Sequence, residues 1–196
     1  MTAPSVLPGW RGVARLVRRL PARLLHGLRR RKALAQLRAR GLPRSILIVC
    51  HGNICRSPYA AGKLRHLLPA TNGTRVDSAG FIGANRPPPA EAVMVARAHG
   101  VDLSRHRSQL LGPQTVAAAE LILVMDPAQQ RAVCGNFGRW RTDVVVLGDL
   151  DPEPILARAI RDPVEQPASV FEESYSRIDR CLRTLASVMS SVAPAR

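Results

Sequence analysis

One nonapeptide constrains this chain more than any other stretch. Cys50-His51-Gly52-Asn53-Ile54-Cys55-Arg56-Ser57-Pro58 stands directly behind the β-branched run Ile46-Leu47-Ile48-Val49. A short, uninterrupted apolar run of this kind predicts a strand buried on both faces. Pro58 suits a first helical turn, where its missing N–H has no partner to lose, so a helix is expected over 59–68. A strand joined to a helix by a glycine-containing loop is the opening half of a parallel βαβ unit.

The rest of the chain continues that alternation. Further strands are predicted over 74–78, 120–125 and 143–147, and a helix over 89–99 that Gly100 stops. An Asp- and Pro-rich loop spans 148–169. A closing helix over 171–188 carries Phe171, Ile178, Leu182, Leu185 and Val188 on or near one face. The expected fold class is therefore α/β: a three-layer α/β/α arrangement around a four-stranded parallel sheet. In such sheets ligands bind beyond the carboxyl ends of the strands, and the loop after the first strand is the place to look for chemistry.

Charge divides the chain in two. Residues 1–44 hold twelve Arg and Lys residues and no Asp or Glu, whereas residues 45–196 hold seventeen basic against fourteen acidic residues. The reading is a basic, partly helical arm over 1–44 and a nearly neutral body over 45–196, large enough to bury its own core. Trp10, Val13, Val17, Leu20, Leu24 and Leu28 recur at helical spacing with arginines between them, Pro21 is expected to break or restart the helix, and 29–40 is polar apart from Leu34 and Leu37. Three fates suit such an arm. It is a solvated tail, a segment lying on an anionic membrane surface, or an arm for a partner protein or, through phosphate contacts, for nucleic acid. Nucleic acid is disfavoured, because Trp10 is the arm's only aromatic residue. No apolar run is long enough to cross a bilayer. Arginines interrupt every stretch suited to the core of a secretion signal, although an acid-free, Arg-rich segment also matches an organelle transit peptide. Four cysteines without a secretion signal fit a reducing, cytoplasmic compartment.

The loop residues have a mechanism of their own. Backbone N–H groups wrapped toward a helix N-terminus form a nest for a tetrahedral oxyanion. Arg56 closes it with a two-pronged grip on phosphoryl oxygens. The same positive field favours thiolate over thiol at Cys50, and His51 adds to it when protonated. Ser57 is placed to donate to the sulfur, and Gly52 permits the turn. Nucleophile and phosphate-binding loop at one point describe covalent phosphoryl transfer, which also needs one carboxyl to serve as acid and then as base. The candidates for it are Asp126, Asp149, Asp151 and Asp162.

The nonapeptide resembles the loop of the low-molecular-weight protein tyrosine phosphatases, C-x-G-N-x-C-R-S-P, at every fixed position. Further matches are Val76-Asp77-Ser78-Ala79-Gly80, His99-Gly100-Val101-Asp102-Leu103-Ser104, Leu121-Ile122-Leu123-Val124-Met125-Asp126, and Asp162-Pro163 nine residues before Phe171. The resemblance covers the body and not the arm. It implies Cys50 as nucleophile, Arg56 as phosphate clamp and Asp162 as general acid. His51, Gly52, Asn53, Ile54, Cys55 and Ser57 would line the substrate site. Asn53, Ser78 and His106 would hold the loop in shape, Asp126 would order it from a strand end, and Cys55 would be a protective disulfide partner for Cys50. Asp151 aligns with an earlier Asp-Pro bend of the family. The implied substrate is phosphotyrosine on a protein, a bacterial tyrosine kinase or its polysaccharide-assembly partners, and no cofactor is implied.

Two departures concern the rim of that site. The family often has two tyrosines where this chain has Val164 and Glu165, and often an aromatic in the stretch occupied by Ile82-Gly83-Ala84-Asn85. Ile54 is of the apolar kind seen in tyrosine-directed members, whereas phosphoarginine-directed relatives carry Thr. Arsenate reduction on the same fold needs cysteines near the late loop, and 148–169 has none. A non-catalytic phosphate-binding module tethered by the arm would have no need of a nucleophile. A metal site built on Cys50, His51 and Cys55 lacks a second Cys/His pair at suitable spacing, so no metal is expected.

Overall fold

The computed structural model describes residues 9–69 and 73–192, with side chains from residue 25 onward. The chain runs α1 (Gly9–Arg40), β1 (Ser45–Cys50), α2 (Arg56–Leu67), β2 (Arg75–Gly80), α3 (Ala90–Ala98), α4 (Pro113–Ala117), β3 (Leu121–Val124), α5 (Pro127–Phe137), β4 (Val144–Val146), a 3-10 turn (Leu147–Leu150) and α6 (Ala168–Val192). All four strands are parallel, in the order β2-β1-β3-β4.

The strand residues alternate between two cores, and this alternation creates the three layers. Ile46, Ile48, Leu121, Leu123 and Val145 pack with Tyr59 and Leu64 of α2 and with Tyr175, Ile178, Leu182 and Leu185 of α6. Leu47, Val49, Ile122, Val124, Val144 and Val146 face Val116 of α4 and Val133 of α5 on the other side. Tyr59 and Tyr175 stack with ring centroids 3.8 Å apart. The Tyr59 hydroxyl donates to the buried Asp179 carboxylate at 2.6 Å, so this polar tip keeps a partner inside the core. β1 pairs with β2 on one side and β3 on the other, so its carboxyl end opens at the point where the strand order reverses.

Helices α4 and α5 were not legible in the sequence. Asp126-Pro127 is a start signal: the Asp126 side chain accepts from the Gln129 N–H and Pro127 occupies the first turn. Only Val133 among the apolar residues of α5 is fully buried, so no helical stripe announces it.

Helix α1 differs from expectation in two respects. It passes through Pro21 without a break. A proline costs one hydrogen bond in a helix interior, and the strong helix formers Leu, Arg and Ala on either side carry the helix past it. Its second half is not a free tail: Ala33, Leu34 and Leu37 are buried in the core shared with α6. Arg40 donates to the carbonyls of Glu120 (2.7 Å) and Thr142 (2.9 Å) and pairs with Asp143. His26 is buried with Nε2 3.0 Å from the Asp151 carbonyl oxygen. The apolar face expected of Trp10, Val13, Val17, Leu20 and Leu24 lies outside the described side chains.

Candidate active site

The phosphate-type loop stands where the carboxyl end of β1 meets α2, and a cavity of about 120 Å³ opens above it. Its lining includes Cys50, Arg56, Ile82, Arg86, Asp162 and Val164. Cys50 is 2% exposed and is a free thiol. Two donors converge on its sulfur: the Ser57 hydroxyl at 3.0 Å and the Asn53 backbone N–H at 3.2 Å. Asn53 Nδ2 donates into Ser57 Oγ at 2.9 Å, which fills that oxygen's acceptor role and leaves its proton for the sulfur.

Asn53 organises the loop from its centre. It is fully buried and holds φ at 51°, a left-handed conformation that Asn tolerates better than most side chains. Its Nδ2 also donates to Ser78 Oγ at 2.9 Å, its Oδ1 accepts from the Gln109 N–H at 2.8 Å, and its carbonyl lies 2.7 Å from His106 Nε2. That contact requires the proton on Nε2, and burial holds His106 below the ordinary imidazole range, in its neutral form. Gly80, at the end of β2, lies directly on the Gly52–Asn53 peptide. A Cβ there would stand 2.7 Å from the Asn53 nitrogen and 2.8 Å from the Gly52 carbonyl carbon, so only glycine fits.

The loop is built for an anion. Among the described residues, the backbone N–H groups of Gly52, Ile54 and Cys55 donate to no protein acceptor, and Arg56 Nε is buried without a partner. These donors gather at the N-terminus of the twelve-residue α2, whose dipole adds positive potential. Arg56 is 4% exposed. It donates from Nη1 to the Ile160 carbonyl at 3.0 Å and pairs through Nη2 with Asp162. Burial, with Cys50 next in weight, pushes the Cys55 thiol up to about 12, so it stays protonated and does not compete as an anion. The Tyr175 hydroxyl reaches the Cys55 carbonyl at 3.4 Å.

The acidic candidates separate clearly. Asp162 lines the cavity with its side chain 40% exposed. Asp151 is fully buried and is held by Arg177 (3.2 Å) and Arg180 (3.1 Å), while Asp149 pairs with Arg158 at 2.5 Å. These two brace the late loop from behind: Arg177 also donates to the carbonyls of Ala157 (2.7 Å) and Ala159 (2.9 Å). Asp126 caps α5 and, among the described residues, makes no hydrogen bond to the 50–57 loop. It lines an adjoining groove with His51, Arg56, Phe81 and Asp162. Arg86, Ser108 and Gln109 belong to the site and were not found in the sequence, and Gly80 was matched there without a role. They lie 23 or more residues beyond Ser57 and reach the loop only through the fold.

A thiol receiving two hydrogen bonds, inside a ring of unpaired donors and beside an arginine and a carboxyl, defines a site for covalent phosphoryl transfer. Comparison with known proteins agrees. Residues 45–193 match the low molecular weight phosphotyrosine protein phosphatase family. The probable low molecular weight protein-tyrosine-phosphatase EpsP of Ralstonia nicotianae is 42% identical over 139 residues, covering 70% of this chain and 90% of that protein. The structure of Vibrio vulnificus Wzb in complex with benzylphosphonate superposes with a TM-score of 0.64 at 31% identity, covering 73% of this chain and 97% of the other. The YwlE arginine phosphatase of Geobacillus stearothermophilus gives 0.66 at 27% identity, covering 75% and 93%. The chain belongs to the low molecular weight phosphotyrosine protein phosphatase family, cysteine-dependent enzymes that hydrolyse phosphotyrosine in proteins.

Proposed function

We propose that Cys50, Arg56 and Asp162 carry out this hydrolysis through a thiophosphoryl intermediate, without a metal. The observation that carries the reading is the double donation to the Cys50 sulfur beside the unpartnered Arg56 Nε. The Cys50 thiolate attacks phosphorus and the bond from phosphorus to the tyrosyl oxygen breaks. Its electron pair goes to that oxygen, which takes the proton of Asp162. Asp162, now a carboxylate, takes a proton from water as the water oxygen attacks phosphorus. The S–P bond breaks, sulfur leaves as thiolate and inorganic phosphate is released. Loop N–H groups and Arg56 bear the charge of the equatorial oxygens in both steps. Incoming phosphate takes over Arg56, which releases the Asp162 carboxyl toward the leaving group. Ile54, Ile82 and Val164 supply apolar walls for the phenyl ring.

Phosphotyrosine peptide, mixed rapidly with enzyme in EDTA and reductant, is expected to release one equivalent of dephosphorylated peptide per Cys50 in a burst before the steady rate. Phosphoarginine and arsenate are expected to react far more slowly. Faster turnover of phosphoarginine would overturn the substrate assignment. The bacterial relatives are named protein-tyrosine-phosphatases, which supports a phosphotyrosine-bearing protein as the partner; a bacterial tyrosine kinase is the partner we propose.

The arm's contribution is location. Among the described residues no helix is long and apolar enough to cross a membrane. Leu25 (45%) and Leu28 (61%) are exposed on α1 next to the exposed Arg31 and Lys32, a pairing suited to an anionic lipid surface. Peripheral attachment at the inner face of a membrane, with the site in the cytoplasm, fits the free thiols. The full-length chain is expected to co-sediment with phosphatidylglycerol vesicles at low salt and to be released by high salt. Equal binding to phosphatidylcholine vesicles, or none to either, would refute it.

A further inference from the structure

Arg86 comes from the loop after β2, outside the family's catalytic nonapeptide, and its backbone is fixed. The Arg86 N–H donates to Ser108 Oγ at 2.9 Å, and the Ser108 N–H returns a bond to the Arg86 carbonyl at 2.9 Å. Ser108 is buried and also donates to the Gly83 carbonyl at 2.8 Å. From this anchor the guanidinium reaches over Gly52, where a Cβ would stand 2.7 Å from Nη2. Nη2 donates to the Gly52 carbonyl at 3.0 Å and to the Ile82 carbonyl at 3.1 Å. Among the described residues it has no carboxylate partner, so its charge is not neutralised locally.

The Gly52 carbonyl and the Asn53 N–H are the two ends of one peptide plane. Arg86 holds the oxygen end, Gly80 packs on the face, and the N–H end donates to the Cys50 sulfur. Hydrogen bonding at a peptide oxygen strengthens donation from the same peptide's N–H, the more so when the outer donor is charged. We propose that Arg86 is a positioning residue for the nucleophile, orienting and polarising the Gly52–Asn53 peptide so that its N–H stabilises the Cys50 thiolate. A cation set on the outward carbonyl thereby reaches the sulfur without touching it. The inference rests on reading Cys50 as the nucleophile.

Alkylation of Cys50 by iodoacetamide, followed by mass across pH, tests this without any phosphate substrate. Its result therefore stands even if phosphotyrosine is not the substrate. Cys50 is also faced by His51, Cys55 and Arg56 of its own loop, by Asp162 and by Tyr175 of α6, and none of these is altered. Arg86→Met is expected to slow alkylation roughly five- to tenfold on the acid limb, by moving the profile to higher pH. The acid limb of kcat/KM should move with it, and Arg86→Lys should restore most of the shift. An unchanged alkylation profile with a raised KM would overturn the proposal and make Arg86 a substrate contact. An unchanged profile with a lowered Tm would overturn it in favour of a purely structural strap.

Discussion

A Cys50→Ser variant is expected to lose phosphotyrosine turnover by about 10⁵-fold or more, the scale on which removing a covalent nucleophile falls. Serine is the smallest change available: one atom is replaced, and the donors from Ser57 and Asn53 remain where they are. A hydroxyl is a far weaker acid than a thiol, so donors of the kind that favour a thiolate do not yield an alkoxide. The anion cradle is untouched, so phosphate and phosphotyrosine peptide should bind the variant at least as well as the wild type. Calorimetric titration together with a turnover assay separates the two effects. Retained turnover in Cys50→Ser would remove the thiol from the mechanism. Lost binding together with lost turnover would mean that the substitution had collapsed the loop instead.

Asp162→Asn should show a leaving-group signature rather than a uniform loss. Positioned acid catalysis contributes about 10²–10⁴-fold, and that contribution is needed most where the departing oxygen is most basic. A tyrosyl phosphate is expected to lose two to three orders of magnitude in kcat. An aryl phosphate whose phenolate leaves readily without a proton should lose much less in its first step. Asparagine retains the shape and can still lie beside Arg56, although it gives up the ion pair that Asp162 makes. Measuring kcat for a series of aryl phosphates gives the slope directly. A slope unchanged from wild type would transfer the acid role to another group, and the buried, doubly paired Asp151 is poorly placed to take it.

The proposed nucleophile and the donors around it were legible as one loop because the chemistry demands neighbours in sequence. A nest of consecutive N–H groups can only be made by one short segment, so Cys50, Arg56 and Ser57 declare themselves within a single loop. Parallel-sheet architecture was equally readable, since strands such as Ile46-Leu47-Ile48-Val49 are apolar on both faces. What holds the loop in shape is another matter. Gly80 acts through the lack of a side chain and Gln109 through its backbone N–H, which leave little trace in a sequence, and Ser108 is one small hydroxyl residue among many. Arg86 is one arginine in a chain crowded with them, and only the fold brings it over Gly52. The docking of α1 was hidden for a different reason: Ala33, Leu34 and Leu37 sit among cationic residues, one of which, Arg40, reaches the body by hydrogen-bonding to its carbonyls, so the segment reads as a polar tail.

That docking sets where the protein can be divided. Similarity to the family begins at residue 45, but contacts with the body already include His26. A cut at the similarity boundary would strip a helix from α6 and bare the ion cluster around Asp151, whose arginine partner Arg177 also carries the carbonyls leading to Asp162. Asp162, the proposed acid, is thus tied through Arg177, Asp151 and His26 to the same helix that presents Leu25 and Leu28 outward. Whatever engages Leu25 and Leu28 engages a helix that hydrogen bonds join to the loop bearing Asp162.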